Sequence, residues 1–276
     1  MYVYTLANGD QVPAIGFGTW PLKGETGKTV ISTALENGYT YLDSAFNYEN
    51  EGTVAQALRE SGIPREQIEI ASKLPGRHHA YDEALTTIQE SLYRMDLTYL
   101  DVYLIHWPNP LTDKYVDAWR ALIEAKARGL VKHIGVSNFT PAQIERLIEE
   151  TGITPEINQI ELHPYFNQEE TLLYDREHKI ITQAWSPLGR GNAVLTDPVL
   201  LAIADAHHKS VGQVILRWDL QRGVMALPKS TSGERQLDNL NILDFVLTDD
   251  EVQMINSLSK VDGRTFNQDP DVYEEF

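Results

Sequence analysis

Short apolar, β-branched runs alternate along the chain with longer stretches whose apolar residues recur at helical spacing. Eight runs read as strands, over residues 15–18, 41–43, 68–73, 101–106, 134–137, 157–160, 180–185 and 224–227. Between them lie amphipathic segments with clear start and stop signals. Thr140-Pro141-Ala142-Gln143 supplies an N-cap hydroxyl, a proline at the first helical position and a capping-box glutamine. The helix it opens places Ile144, Leu147 and Ile148 on one face, and Gly152 follows as a stop. Ser210 to Gln213 and Thr248 to Glu251 repeat the capping-box pattern. Strand alternating with helix implies parallel pairing through right-handed crossovers.

Eight such units are enough to close a (β/α)8 TIM barrel, and 276 residues fit one such domain, residues 1–276, with a further helix and a tail after the last unit. An open doubly wound sheet competes, but its glycine-rich phosphate fingerprint is missing: Gly16-Phe17-Gly18 has no third glycine at the required spacing. Ahead of the first strand, Asn8-Gly9 between two short β-like runs predicts a hairpin, placed to seal the bottom of the barrel.

Composition narrows the possible chemistry. The chain is 42% hydrophobic and 23% charged, an ordinary globular balance. No apolar run reaches the roughly 18 residues of a membrane span, and no basic stretch leads into an apolar one at the start, so neither a span nor a secretory leader is expected. With no cysteine, disulfides, a thiol nucleophile and thiolate metal ligands are excluded, and a reducing, cytoplasmic location is expected. A formal charge of -17 repels nucleic acid and anionic membranes, so neither is an expected partner. Any anion bound by such a protein needs a local cluster of bases.

Barrel enzymes gather their chemistry at the carboxyl ends of the strands. Those ends carry Asp43, Lys73, His106, Ser137, Asn138, Gln159 and Trp185, with Lys229 just beyond the last. Each has a plainer reading alone: Asp43 as a turn residue, Lys73 as a snorkelling surface base, His106 as a hydrogen-bonded core histidine. Together, at corresponding ends, they point to a site.

Gly38-Tyr39-Thr40-Tyr41-Leu42-Asp43-Ser44-Ala45, with Tyr48 and Glu51 after it, resembles the first signature of the aldo-keto reductases. Leu227-Pro228-Lys229-Ser230, followed by Arg235 and Asn239, is similar to that family's carboxyl-terminal cofactor signature. Leu104-Ile105-His106-Trp107-Pro108, Gly135-Val136-Ser137-Asn138-Phe139 and Asn158-Gln159 resemble its intermediate motifs in matching order, so the likeness runs from about Gly16 to Asn239. It implies a catalytic tetrad of Asp43, Tyr48, Lys73 and His106. Reducing a carbonyl by hydride leaves an oxyanion that needs a proton, and Tyr48 is the expected donor. Lys73, paired with Asp43, is expected to lower the pKa of Tyr48, while His106 orients the carbonyl oxygen.

The same resemblance assigns the nicotinamide to the face of Trp185 and its carboxamide to Ser137, Asn138 and Gln159, with Ser186 and Leu188 also beside the cofactor. Residues 229–235 form the local basic, hydroxyl-rich segment that an acidic protein needs for phosphate. Lys229, Ser230, Thr231 and Arg235 suit the extra 2′-phosphate of NADPH, with Asp238 and Asn239 near the adenosine. Trp20, Phe46, Asn47 and Trp107 are the expected substrate-pocket residues, and the tail over residues 266–276 lies at the pocket mouth without individual assignments. A small carbonyl compound is the expected partner: an aldehyde, an α-dicarbonyl or a keto-sugar. Trp185 stands where many members carry tyrosine, a feature shared with the bacterial branch that reduces 2,5-diketo-D-gluconate. Thr40, Ala55 and Asp238 depart from the family pattern, where arginine, glycine and glutamate are usual.

No metal site is expected. His78-His79 and His207-His208 are adjacent pairs on loop or helix surfaces, and neighbours on a helix do not share a face. The family suggests a monomer. Two other readings stay open: a Schiff-base lyase using Lys73 as nucleophile, and a regulatory protein that senses nicotinamides without turning them over.

Overall fold

The computed structural model describes residues 2–190 and 193–276. An antiparallel hairpin of β1 (Val3–Thr5) and β2 (Gln11–Pro13) precedes an eight-stranded parallel sheet. Its strands are β3 (Phe17–Gly18), β4 (Tyr41–Asp43), β5 (Glu69–Leu74), β6 (Leu100–Ile105), β7 (Val131–Ser137), β8 (Ile157–Glu161), β9 (Ile181–Trp185) and β10 (Met225–Leu227). They neighbour one another in chain order. The first and last close on each other: Gly16 N donates to Ala226 O at 2.9 Å, Ala226 N to Ala14 O at 3.0 Å, and Gly18 N to Pro228 O at 3.1 Å. The barrel expected from the alternating pattern is therefore present.

Helices α1 (Gly24–Glu36), α2 (Glu51–Ser61), α3 (Tyr81–Met95), α4 (Tyr115–Ala127), α5 (Pro141–Thr151) and α6 (Glu169–Glu177) occupy the first six crossovers. The β9-to-β10 crossover carries two helices, α7 (Pro198–His207) and α8 (Val211–Gln221). The sequence reading did not single out α7. It opens with an aspartate N-cap, Asp197, whose carboxylate accepts from Val199 N, and a proline at its first position. After β10 come α9 (Gly233–Leu240) and α10 (Asp249–Asn256). The capping boxes expected at Thr140, Ser210 and Thr248 open α5, α8 and α10. No described helix is long and apolar enough to cross a membrane.

Side chains alternate across a strand, so every second residue faces the barrel axis. Low in the barrel these positions hold Tyr41, Ala71, Val102, Ile157, Ile181 and Met225, one buried cluster with Leu6 and Val12 of the hairpin. Two residues further along four of those strands stand Asp43, Lys73, Gln159 and Gln183. On β3 the inward positions are glycines, and a side-chain carbon on Gly16 would lie 2.7 Å from both Leu227 and Tyr41. The hairpin loop is wider than a two-residue turn: Thr5 pairs with Gln11, and Leu6 N donates to Asp10 O at 2.8 Å. Gly9 takes the left-handed conformation there, at φ 95°. Leu6 and Val12 then plug the bottom, as expected.

Beyond α10 the chain runs back along the carboxyl-terminal rim. Lys260 N donates to Tyr165 O at 2.9 Å and Thr265 N to Glu161 Oε1 at 2.7 Å. Gln143 Nε2 donates to Pro270 O at 3.0 Å, and Glu274 Oε1 accepts from Leu111 N at 2.7 Å. The tail thus crosses the loops after β8, β7 and β6 in turn, over the mouth of the barrel.

Candidate active site

The rim encloses a cavity of about 470 Å³. Asp43, Tyr48, His106, Ser137, Asn138, Gln159, Trp185, Ser186, Leu188 and Lys229 line it, as do Trp20, Asn47 and Trp107 of the expected substrate pocket. Lys73 lies immediately beneath, fully buried. Its ammonium donates to Asp43 Oδ1 at 2.7 Å, Asp43 Oδ2 at 2.8 Å and Ser44 O at 2.8 Å. Gln159 Nε2 completes the carboxylate at 2.9 Å and also reaches Gln183 Oε1 at 2.9 Å, whose own amide donates to Tyr41 OH at 3.0 Å. An ion pair this deep is tolerable only because each partner's remaining hydrogen-bonding capacity is met. With all three N–H groups engaged and its side chain beneath the cavity instead of lining it, Lys73 is poorly placed to attack a carbonyl carbon, which disfavours the Schiff-base reading.

Tyr48 ends the 3₁₀ turn Phe46–Tyr48 that follows β4. The Lys73 ammonium stands 5.1 Å from the Tyr48 ring centre, and the His106 ring meets that ring edge-on with centres 5.7 Å apart. The expectation that Lys73 makes Tyr48 more acidic does not hold here. Burial, then the Asp43 and Glu275 carboxylates, raise the phenol well above its ordinary range, and Arg190 alone pulls the other way. Asp43 offsets the Lys73 charge, and together with Ser44 O it accepts all three of the ammonium N–H groups. A neutral phenol still suits the task, because an alkoxide is a far stronger base than a phenolate.

Phe46 is the one expected pocket residue that does not line the cavity. Successive residues of a 3₁₀ turn point about 120° apart, so Tyr48 faces in while Phe46 packs outward. There its ring lies 3.7 Å below the Arg94 guanidinium and 5.5 Å from the His78 ring. Of the two histidine pairs, His207-His208 lies at the helix surface as expected, and only His79 departs from expectation. His79 is buried, and burial lowers it to about 4 against the opposing pull of the Glu275 and Glu274 carboxylates.

The amide cluster is tightly cross-linked. Ser137 Oγ donates to Gln159 O at 2.8 Å, Asn138 Nδ2 to His106 O and to Ser137 Oγ at 3.0 Å each, and Trp185 Nε1 to Asn138 Oδ1 at 2.7 Å. Asn138 and Ser186 hold left-handed backbone at φ 62° and 51°, where the chain turns off the strand ends into the cavity wall. Further round, Lys229 and Arg235 are exposed, and among the described residues neither side chain has an ion-pair or hydrogen-bond partner. Ser230 is buried, its hydroxyl committed to Ser232 O at 3.2 Å, and Ser232 caps α9. Thr231 and Asp238 are exposed, while Asn239 is buried, and the Tyr39 hydroxyl donates to Gln236 O at 3.1 Å. Ser230, Thr231, Arg235, Asp238 and Asn239 do not line the cavity and lie along the segment from β10 into α9.

Other cavity residues were not singled out in the sequence. Arg190 stacks on Trp20, 3.6 Å from its ring centre, and on Phe266 at 4.6 Å. Tyr273 packs on Trp107 with ring centres 4.5 Å apart. Glu275 enters beside His106, its Oε1 2.7 Å from Nδ1. Gln183 had a signal, lying two residues before Trp185 on one strand face. The tail residues had none, because nothing local says where a terminal segment docks.

Comparison with known proteins fits this arrangement. The family model described as "Aldo/keto reductase family" matches residues 14–260. The chain belongs to the aldo/keto reductase family. It is 44% identical over 260 residues to 2,5-diketo-D-gluconic acid reductase B of Corynebacterium sp. (strain SHS752001), covering 94% of this chain and 93% of that protein. To methylglyoxal reductase DkgA of Escherichia coli (strain K12) it is 40% identical over 273 residues, covering 98% of each. Among solved structures, a mutant of Gox0644 in complex with NADPH superposes with a TM-score of 0.93 at 37% identity, covering 99% of this chain and 98% of that one. As a member of this family the protein is an oxidoreductase.

Proposed function

We propose that this aldo/keto reductase reduces small carbonyl compounds with NADPH, with Tyr48 giving the proton. The observation that carries the proposal is the meeting of Tyr48 and His106 on one cavity wall directly above the buried Asp43–Lys73 pair. The residues present suit the cofactor. Lys229 and Arg235 are unpaired cations on a chain of net charge -17, at the start of α9, where two phosphate oxygens can claim both charge and directed bonds. Trp185 offers a ring face, and the Gln159 side-chain oxygen Oε1, which has no hydrogen-bond partner among the described residues, offers an acceptor for a carboxamide.

The bound dinucleotide supplies hydride to the carbonyl carbon. Everything else falls to side chains of this chain. His106 and Tyr48 face the carbonyl oxygen, polarise it and fix its orientation, which is a positioning contribution. As charge develops on that oxygen, the Tyr48 hydroxyl delivers its proton. Asp43 and Lys73 hold the floor rigid. Trp20 and Trp107 supply aromatic walls, and the tail residues Phe266 and Tyr273 complete the enclosure.

Relatives named for 2,5-diketo-D-gluconate and methylglyoxal point to vicinal dicarbonyls and keto-sugars as substrates. A monomer is part of this reading, and the lack of cysteine supports a cytoplasmic setting. The test follows NADPH oxidation at 340 nm with methylglyoxal, an aromatic aldehyde and 2,5-diketo-D-gluconate, beside Tyr48→Phe. Wild-type turnover with a loss of about 10²–10⁴-fold in the variant, NADPH binding retained, is expected. Tight NADPH binding without turnover of any carbonyl would favour a sensor instead.

A further inference from the structure

The carboxylate of Glu275, the penultimate residue, is buried on the rim at the meeting point of three strand-end loops. Its Oε1 accepts from Asn47 Nδ2 at 2.8 Å and lies 2.7 Å from His106 Nδ1; its Oε2 accepts from Gly76 N at 3.0 Å. The backbone is pinned as firmly, with Asn109 Nδ2 donating to Glu275 O at 2.8 Å and Glu275 N to Asn109 Oδ1 at 3.1 Å. The space is specific, since a side-chain carbon on Gly76 would sit 2.2 Å from the Asn109 amide.

We propose that Glu275 is a positioning residue for carbonyl reduction: it keeps a proton on Nδ1 of His106 and thereby sets which form of the ring addresses the substrate. A carboxylate oxygen 2.7 Å from an unprotonated Nδ1 would set lone pair against lone pair in a buried site, so the contact favours a proton on Nδ1. Burial by itself raises the Glu275 carboxyl, but His106, the Gly76 N–H and Asn47 together hold it below its ordinary range, in keeping with an anionic carboxylate facing the ring. The contact lies off the ring N–H axis and is mainly electrostatic.

The consequence is chemical. With Nδ1 protonated, Nε2 donates to a carbonyl oxygen only when the ring is an imidazolium, a stronger donor than neutral imidazole toward an oxygen gaining charge. Glu275 supplies the counter-charge. The other charges around the ring do not compete for this role: Asp43 is spent on Lys73, Arg190 is a cation, and Glu274 is turned away to Leu111 and Thr112. The carboxyl terminus therefore acts on the reacting centre through His106, besides covering the mouth.

This inference rests on the reductase reading, and its test includes a measurement independent of turnover. In the full-length protein, long-range ¹⁵N–¹H spectra of His106 are recorded for wild type, Glu275→Ala and Glu275→Gln. Wild type is expected to show both ring nitrogens protonated, and Glu275→Ala a neutral ring with its proton on Nε2. Turnover number for methylglyoxal is expected to fall about tenfold in Glu275→Ala, the difference between a charge-assisted and a neutral hydrogen bond, with KM and NADPH affinity within about threefold. Glu275→Asp is expected to recover most of it. An Nδ1 that stays protonated in Glu275→Ala, an unchanged turnover number, or a loss confined to KM would each overturn the assignment. Absence of turnover in wild type would sink the reductase reading while leaving the spectra to decide the proton's place.

Discussion

The two ends of the barrel are built on the same strands and solve opposite problems. At the bottom, Tyr41, Val102, Ile157, Ile181 and Met225 close around Leu6 and Val12 of the hairpin, and stability comes from excluding water. Two residues higher, the same inward face carries Asp43, Lys73, Gln159 and Gln183, linked in one chain of hydrogen bonds that ends on Tyr41. An apolar plug tolerates a change of shape, because neighbouring side chains relax around it. A closed polar chain does not, since each missing partner strands a buried donor or acceptor. The difference explains why this rim can hold a reactive arrangement and why the bottom need only be sealed.

Three substitutions probe that contrast. Lys73→Met should have the largest effect. It strands the Asp43 carboxylate, costing roughly 3–5 kcal/mol by urea unfolding, and it should reduce carbonyl reduction by at least about a hundredfold. Retained activity would separate the polar floor from the chemistry. Leu6→Ala should come next, costing about 2–5 kcal/mol as a buried large-to-small change, with the turnover number unchanged well below the melting temperature. A comparable loss of turnover would mean that the bottom also shapes the rim. The smallest effect should come from Lys229→Ala combined with Arg235→Ala. NADPH affinity, measured by fluorescence titration, should weaken about 10–100-fold through lost charged hydrogen bonds, while NADH binding and the Tyr48 chemistry stay nearly intact. Equal weakening of both cofactors would remove these two residues from 2′-phosphate recognition.

Much of the site was legible because a parallel strand converts sequence spacing into position. Asp43, Lys73, His106 and Gln159 end their runs, and the barrel brings all such ends to one rim. Phe46 was misplaced because a short 3₁₀ turn has no period long enough to read, and its neighbours in sequence point in different directions. The acidity of Tyr48 was not legible for a different reason: the pairing of Lys73 with Asp43 follows from the motif, but not that Asp43 and Ser44 O accept from every N–H group of its ammonium. The helix α7 escaped notice because it interrupts the strand–helix alternation instead of following it.

Local sequence alone determined the strand count, the capping boxes, the hairpin and the set of polar strand ends, because each depends on residues within a few positions of one another. Only the tertiary structure decided what covers that rim. Glu275 reaches His106 from the far end of the chain by way of a tail whose anchors, at Tyr165, Glu161, Gln143 and Asn109, are spread around the rim. No periodicity encodes such a docking, since it depends on surfaces that exist only once the barrel has closed.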